Sequence, residues 1–229
     1  MKPALDRERI LAVTLTLIDR DGVPALSMRE LAKALGVFPT AIYWYVPNRN
    51  ELIAGAVALA LRGVGTSLSS SAASTWQERL RSLLTRFRAA VRMHPKLAPV
   101  IGTELISNSP LDLPMLDHVV AALEDAGFEG AALVDAFNVV IAAMCGFVTL
   151  ELASPPDKDP QWAQTHRKRI GEIPRDDYPA LSRHVARLKN KAFIVRWSSG
   201  TSKPMASSFA AWLDVIIEGL DALPRGSML

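Results

Sequence analysis

The sequence predicts an all-α protein, and three features of its pattern support that fold class. Apolar residues recur at helical spacing, whereas the period-two alternation of a strand is nowhere sustained. Glycine or proline follows several of the helical stretches, as at Gly22, Gly36 and Pro224. Hydrophobic residues make up 49% of the 229 residues and charged residues 21%, a balance that supports a globular core. We therefore expect a small N-terminal helical domain joined to a larger one.

The first two predicted helices have clear beginnings and ends. Regular apolar spacing predicts a helix over 6–20 that stops before Gly22. Ser27, followed three residues later by Glu30, is a capping-box pattern and predicts the start of a second helix over 28–35.

A short third helix and a longer fourth helix complete the N-terminal domain. Gly36 permits a tight turn after the second helix, because glycine takes positive φ at little cost. The third helix begins near Pro39 and ends before Pro47, which cannot continue it. Asn50 is predicted to cap a fourth helix over 51–64. The first three helices form a helix-turn-helix pattern.

A small, polar stretch over 63–74 predicts a linker, so we assign 1–62 to one domain and 63–229 to the other. Prolines between 154 and 203 predict a long loop that one helix interrupts. The helices predicted in the second domain cover 76–93, 95–107, 113–126, 131–153, about 178–191 and about 207–223.

The scarcity of reactive side chains argues against several classes of protein. One cysteine, Cys145, and four scattered histidines form no disulfide and no metal-ligand pattern, so we expect no metal and no cofactor. The N-terminus does not resemble a signal peptide, and the longest apolar run, 136–150, is short for a membrane span. We expect a soluble, cytoplasmic protein without catalytic activity or a membrane partner.

The third predicted helix has the composition of a DNA recognition helix. Such a helix enters the major groove by its N-terminal end, where small residues allow close approach. Between 37 and 48 there is no acidic side chain, and the net charge of +3 permits a nucleic-acid partner. The candidate DNA-binding residues are Arg29, Pro39, Thr40, Ala41, Tyr43, Trp44, Tyr45 and Arg49.

These candidates have different expected roles. Thr40 and Ala41 are suited to base edges, and Arg29 to a guanine edge. The hydroxyls of Tyr43 and Tyr45 are suited to phosphate oxygens, as are Arg49 and the helix that follows it. The size and apolarity of Trp44 favour packing inside the small domain, although it remains among the DNA-binding candidates.

Two motifs in this region resemble the DNA-binding domain of the tetracycline-repressor (TetR) family. They read Leu26-Ser-Met-Arg-Glu-Leu-Ala32 and Ala41-Ile-Tyr-Trp-Tyr-Val-Pro-Asn-Arg-Asn-Glu-Leu-Ile53. The resemblance implies an all-α homodimer whose helices over 131–153 and 207–223 form the dimer bundle. It also implies a repressor that a small molecule releases from its operator. The DNA-contacting positions of the family carry over onto Arg29, Pro39, Thr40, Ala41, Tyr43, Tyr45 and Arg49.

The resemblance also suggests where an effector binds. Phe87 aligns with an aromatic residue of the family's drug pocket, whereas Leu83 stands in place of the drug-contacting asparagine. A more apolar effector than tetracycline–magnesium is therefore expected. Phe137, Ile141 and Met144 repeat at helical spacing, and such an apolar stripe is more often core than pocket. His118 is more typical of a hydrogen-bonded core histidine than of a ligand contact. The candidate ligand-binding residues are Phe87, Ile101, Leu105, Met115, His118, Phe137, Ile141 and Met144.

These features together predict a ligand-responsive DNA-binding transcriptional regulator. Its partners would be a double-stranded DNA operator, a small-molecule effector and a second copy of the chain. The favoured form is a repressor that a small apolar molecule releases from a palindromic operator. Two alternatives remain: a helical small-molecule-binding or enzyme domain with a vestigial helix-turn-helix, and a transcriptional activator.

Overall fold

The computed structural model describes residues 5–65, 74–107, 113–153 and 161–225. Within these ranges the chain forms eleven α-helices and no strand, which confirms the predicted all-α class. Short 3₁₀ segments cover Val23–Ala25 and Pro95–Val100. The helices are α1 Arg7–Asp21, α2 Met28–Leu35, α3 Pro39–Tyr43, α4 Arg49–Leu61, α5 Trp76–Met93, α6 Ile101–Ser107, α7 Leu113–Asp125, α8 Gly130–Leu152, α9 Trp162–Gly171, α10 Pro179–Leu188 and α11 Ala206–Ala222.

The N-terminal helices begin at side-chain caps. The carboxylate of Asp6 accepts the N–H of Arg9 at 2.8 Å, and the hydroxyl of Ser27 accepts the N–H of Glu30 at 3.2 Å. Each cap satisfies a backbone donor that has no partner within its own helix. Helix α1 packs along α4 and also against α2, so its apolar side forms the centre of this part of the molecule.

The cap of α4 differs from the prediction. Asn48 is the capping residue, and Asn50 already lies inside the helix. The side chain of Asn48 accepts the N–H of Glu51 at 2.9 Å and donates to the Glu51 carboxylate at 3.2 Å. A cap side chain reaches a donor two or three residues ahead, so Asn48 fits because it directly follows the helix-breaking Pro47.

Two other expectations in the second part of the chain were wrong. The single helix predicted over 95–107 is a 3₁₀ segment followed by α6, since Pro99 has no N–H for a continuous α-helix. Helix α9 was not predicted at all. Of its ten residues only Ile170 is buried, so it has no apolar stripe that a sequence pattern could show.

A buried carboxylate joins three helices and a loop in the second domain. Glu151, near the end of α8, has no exposed surface. Its carboxylate accepts two hydrogen bonds from Arg88 of α5, at 2.7 and 2.6 Å, and one from the backbone N–H of Met205 at 2.9 Å. Arg92 lies 3.3 Å away. The backbone carbonyl of Glu151 accepts the N–H of Gly200 at 2.8 Å, where a side chain on Gly200 would collide with it.

Helix α8 is long and apolar, yet only 28% of its most apolar stretch is buried. At 23 residues it is long enough to cross a membrane, so the prediction that the run is too short was wrong. Length and composition of this kind also describe the core helix of a soluble protein. The large apolar side chains that stay exposed on α8 and α11 of the described chain are Val134, Val139, Leu150 and Val215.

Candidate DNA interface and ligand-binding core

Helix α3 is held from behind by two fully buried residues. Ile42, inside the helix, and Val46, just after it, have no exposed surface. Pro39 occupies the first turn, where its missing N–H does no harm. With only five residues, α3 cannot be stable alone, so these two anchors and the preceding turn determine its position.

The turn before α3 depends on Gly36. Its φ of 69° and ψ of 39° lie in the left-handed region, which L side chains rarely adopt. The N–H of Gly36 donates to the carbonyl of Lys33 at 3.2 Å, and that of Val37 to the carbonyl of Ala32 at 3.1 Å. These bonds close the last turn of α2 and determine the angle at which α3 leaves it.

The outward side of α3 displays large side chains. Tyr43 is 49% exposed, Tyr45 42% and Trp44 89%. Phe38, at the N-cap of α3, is 82% exposed and was missed from the sequence. Its place before Pro39, outside the apolar pattern of either helix, is the signal that could have shown it. A cluster of exposed aromatic residues on so small a domain marks an interaction surface.

The packing role assigned to Trp44 was wrong. Ile42 faces the core, and a residue two positions later lies about 200° around a helix, so Trp44 faces away from that core. Size and apolarity favoured burial, but the register of the helix decides the direction. Trp44 therefore joins the exposed surface with Tyr43 and Tyr45.

Arg49 has a structural role that the sequence did not reveal. Its Nε donates to the carbonyl of Leu26 at 3.0 Å, and its Nη2 donates to the carbonyl of Val23 at 2.7 Å. The guanidinium thus ties the start of α4 to the segment between α1 and α2. Its predicted phosphate contact remains a prediction.

The remaining candidates of this surface lie around α2 and α3. Arg29 and Thr40 are exposed, while Pro39 and Ala41 are partly exposed. All eight predicted DNA-binding residues therefore belong to the helix-turn-helix or to the first residue of α4.

The predicted ligand-binding residues divide into two groups. Phe87, Ile101, Met115 and Met144 are almost completely buried within one continuous apolar core. Phe137 and Ile141 are only partly buried, at the edge of that core. Of the three predicted residues on α8, Met144 therefore lies inside the core, whereas Phe137 and Ile141 lie at its edge.

The last two predicted ligand-binding residues are Leu105 and His118. The side chain of Leu105 lies outside the described residues. The Nδ1 of His118 is 2.6 Å from the carbonyl of Pro114, one turn earlier. A carbonyl only accepts, so Nδ1 carries the proton. His118 is partly exposed, so its predicted ligand contact remains a prediction.

Reactive groups are few in the described part of the chain. No cluster of three or more His, Cys, Asp or Glu side chains there could hold a metal ion. Burial raises the pKa of the Cys145 thiol to about 11, which leaves it protonated and weakly nucleophilic at neutral pH.

Two polar contacts connect α1 to the residues that directly follow α5. The Nδ1 of His94, which caps the end of α5, lies 2.8 Å from a carboxylate oxygen of Asp19 on α1. The ammonium group of Lys96 donates to the carbonyl of Arg20 at 2.6 Å. Helix α4 also packs against both α5 and α6. These contacts form a bridge between α1 and the 3₁₀ segment Pro95–Val100.

A helix-turn-helix with an open aromatic surface, bridged to a large helical core, defines the class of DNA-binding transcriptional regulators. Comparisons with known proteins identify the family. The description "Bacterial regulatory proteins, tetR family" matches residues 10–56, and "Tetracyclin repressor-like, C-terminal domain" matches residues 70–223. The chain belongs to the tetracycline-repressor (TetR) family. Its matched domains and its relatives are those of transcriptional regulators and not of enzymes.

Individual relatives agree with this assignment. An HTH-type transcriptional regulator of Saccharopolyspora erythraea is 30% identical over 183 residues, which cover 79% of this chain and 75% of the relative. The HTH-type transcriptional repressor DrrR1 of Streptomyces coeruleorubidus is 25% identical over 97% of this chain and 79% of its own. A crystal structure of a possible TetR family transcriptional regulator from Streptomyces coelicolor A3(2) has a TM-score of 0.76 at 25% identity, covering 96% of this chain and all of that one.

Proposed function

We propose that the protein acts in the cytoplasm as a homodimeric repressor that leaves a palindromic operator when a small apolar molecule binds. The observation that carries this proposal is the exposed surface of α3 and of the two residues that follow it. Thr40 and Tyr43 lie on the anchored helix, and Trp44 and Tyr45 directly after it. Residues 1–62 would form the DNA-binding domain, and residues 63–229 would bind the effector and the second copy.

Exposed apolar side chains on α8 and α11, among them Val139 and Val215, support the homodimer. A second copy is a suitable partner, because a two-fold axis buries the same apolar surface on both chains. Two recognition helices about 34–36 Å apart could then enter successive turns of the major groove. This spacing requires an operator with inverted half-sites.

On the DNA, the exposed residues of α2 and α3 and those just after α3 would make different contacts. Thr40 and Ala41 approach base edges, and Arg29 reads a guanine with its planar guanidinium. Tyr43 and Tyr45 hold phosphates and fix the register of the helix. The exposed rings of Trp44 and Phe38 would pack against the sugar-phosphate backbone.

Replacement of Tyr43 with Phe tests the phosphate contact. The variant loses one hydroxyl, so its affinity should fall about threefold to tenfold for all operator sequences alike. Fluorescence anisotropy with a matched and a mismatched operator measures both affinities. Tyr178→Phe, an exposed tyrosine just before α10, is the control. An unchanged affinity in the Tyr43→Phe protein would contradict the contact.

The effector would act through the bridge between α1 and the 3₁₀ segment Pro95–Val100. Its apolar binding residues lie in the core formed by α5 to α8, and the 3₁₀ segment joins α5 directly to α6. A ligand that separates these helices moves His94 and Lys96, and with them Asp19 and Arg20 of α1. A coupling free energy of about 1–3 kcal/mol changes DNA affinity by roughly 5- to 150-fold.

The variant His94→Ala should therefore weaken the response more than DNA binding. Loss of one bridging hydrogen bond should reduce the ligand-induced change in DNA affinity by about twofold to tenfold. DNA affinity without ligand should stay within about threefold. His184→Ala, on the exposed surface of α10, is the matched control. Equal ligand responses of wild type and His94→Ala would exclude this route.

The proposed function itself is tested by selecting bound DNA from a random pool, with and without candidate apolar ligands. A palindromic site that is lost when ligand is added supports a repressor released by its effector. Recovery of asymmetric or unrelated sequences would overturn the proposal. The same selection repeated with Tyr43→Phe should recover the same site in lower yield.

A further inference from the structure

A small cavity with aromatic walls lies at the end of α8, at the edge of the apolar core. Its volume is about 160 Å³, and its walls include Trp162 and His166 of α9 with Phe193, Trp197 and Leu150. We call it the aromatic slot. Phe193 packs edge-on against Phe147 at 5.4 Å, so the Phe147 ring closes the side toward the α11 aromatic residues.

The walls of the slot are held in place by specific contacts. The rings of Trp162 and His166 are stacked, 4.9 Å apart and 9° from parallel, and the guanidinium of Arg167 lies 4.8 Å over the Trp197 ring. The side chain of Asn190 accepts the N–H groups of Trp197 and Ser198, at 3.2 and 3.0 Å. Walls positioned in this way need little reorganisation when a ligand enters.

The base of the slot is fixed by a buried arginine. Arg196 donates to the backbone carbonyls of Ser198 at 2.6 Å, Lys203 at 3.1 Å and Glu151 at 3.4 Å. Its guanidinium is therefore engaged with the protein. The slot consequently presents ring faces and edges to a ligand, and not an available positive charge.

His166 gives the wall a ring nitrogen that can accept a hydrogen bond. The Nε2 of His166 lies 3.2 Å from the carbonyl of Ile194, and a carbonyl only accepts, so Nε2 carries the proton. In the neutral ring Nδ1 is then an acceptor, and it has no partner within the described residues. An aromatic ligand with a hydroxyl or N–H donor would satisfy it.

We propose that the aromatic slot binds a single planar aromatic ring that carries one hydrogen-bond donor, such as a phenol. The slot is more open and more polar than the apolar cavity of about 150 Å³ that takes benzene, but its volume of about 160 Å³ is similar and suits one ring. The ring lies against the aromatic walls, where offset and edge-to-face contacts are favourable. Its hydroxyl donates to Nδ1 of His166. The walls of the slot include none of the predicted effector-binding residues whose side chains the structure describes, and binding there can be observed without DNA.

Phenol is the probe, and fluorobenzene, which has no hydroxyl proton, is its matched control. The chain has five tryptophans, so its ¹H–¹⁵N spectrum has five indole N–H signals, assignable by single Trp→Phe variants. Phenol should shift the signals of Trp162 and Trp197 and leave those of Trp44 and Trp76 unchanged. Shifts confined to other tryptophans, or none at phenol concentrations of several millimolar, would overturn the proposal.

Two variants separate the slot from other sites. Ala153→Phe places a ring in the wall and should weaken phenol binding at least tenfold, while Ala222→Phe, on the exposed end of α11, should not. His166→Phe keeps an aromatic ring but loses the acceptor. It should weaken phenol about threefold to tenfold and leave fluorobenzene unchanged. Equal losses for both probes would contradict the hydrogen bond, and undiminished binding by Ala153→Phe would contradict the site.

Discussion

Replacement of Glu151 with glutamine is expected to lower the free energy of unfolding by about 3–5 kcal/mol. Glutamine has nearly the same shape but no charge, so it leaves Arg88 and Arg92 without their buried counter-ion. The NH₂ group of glutamine only donates, so it cannot accept the hydrogen bonds that the carboxylate receives from Arg88 and from the N–H of Met205. For a chain of this size the melting temperature should fall by roughly 6–20 °C, which circular dichroism measures. Glu218→Gln, on the exposed side of α11, is the matched control.

The destabilisation should also depend on pH. Burial raises the pKa of Glu151, but hydrogen bonds from Arg88 and the Met205 N–H, with the charges of Arg88 and Arg92, bring it below its ordinary value. Stabilisation from a carboxylate with a lowered pKa is complete above the unfolded-state pKa of about 4.3 and is lost as pH falls through the folded-state pKa. The difference between wild type and Glu151→Gln should therefore shrink below about pH 4. A constant difference from pH 7 to pH 3 would argue against the ionised carboxylate.

Replacement of Ala41 with glutamate is expected to weaken operator binding by roughly 100-fold or more. Ala41 is partly exposed on α3, and the proposed entry of this helix into the major groove requires a small side chain there. A longer acidic side chain both obstructs that approach and repels the phosphates, each at a cost of about 1–3 kcal/mol. Fluorescence anisotropy with a labelled operator measures the loss, and unfolding by urea should be unchanged within about 0.5 kcal/mol.

The matched control for this change is Ala180→Glu, on the exposed surface of α10. It adds the same charge to the protein outside the helix-turn-helix. If both variants lost affinity equally, net charge and not position would explain the effect. If Ala41→Glu bound within threefold of wild type, α3 would not be the helix that enters the groove.

The parts of the fold that depend on neighbouring residues could be predicted from the sequence. Helix α5 was predicted over 76–93 from its helical apolar spacing, and the structure adds a reciprocal capping box of Thr75 and Glu78 at its start. The turn at Gly36 is equally local, since its positive φ requires glycine. The helix-turn-helix and the all-α class follow from such signals.

Features that depend on distant residues were not predictable in the same way. The two carbonyls that Arg49 binds lie 23 and 26 residues earlier, and nothing in the local pattern shows them. The partners of Glu151 come from α5 and from the start of α11, more than 50 residues away on either side. Trp44 is different. The phase of α3 was readable from Ile42, and the error came from weighing side-chain size above direction.

In the helix-turn-helix, the residues that maintain the fold are different from the residues that face outward. Ile42, Val46 and Gly36 hold α3 in place, and the guanidinium of Arg49 ties the start of α4 to the segment before α2. None of these four is a large exposed side chain. Exposed residues such as Thr40 and Trp44 contribute little to the stability of this domain. Mutations there can alter the preferred operator while the domain stays folded. After a gene duplication, a copy of this regulator could therefore acquire a new target site through a few substitutions, without first passing through an unstable protein.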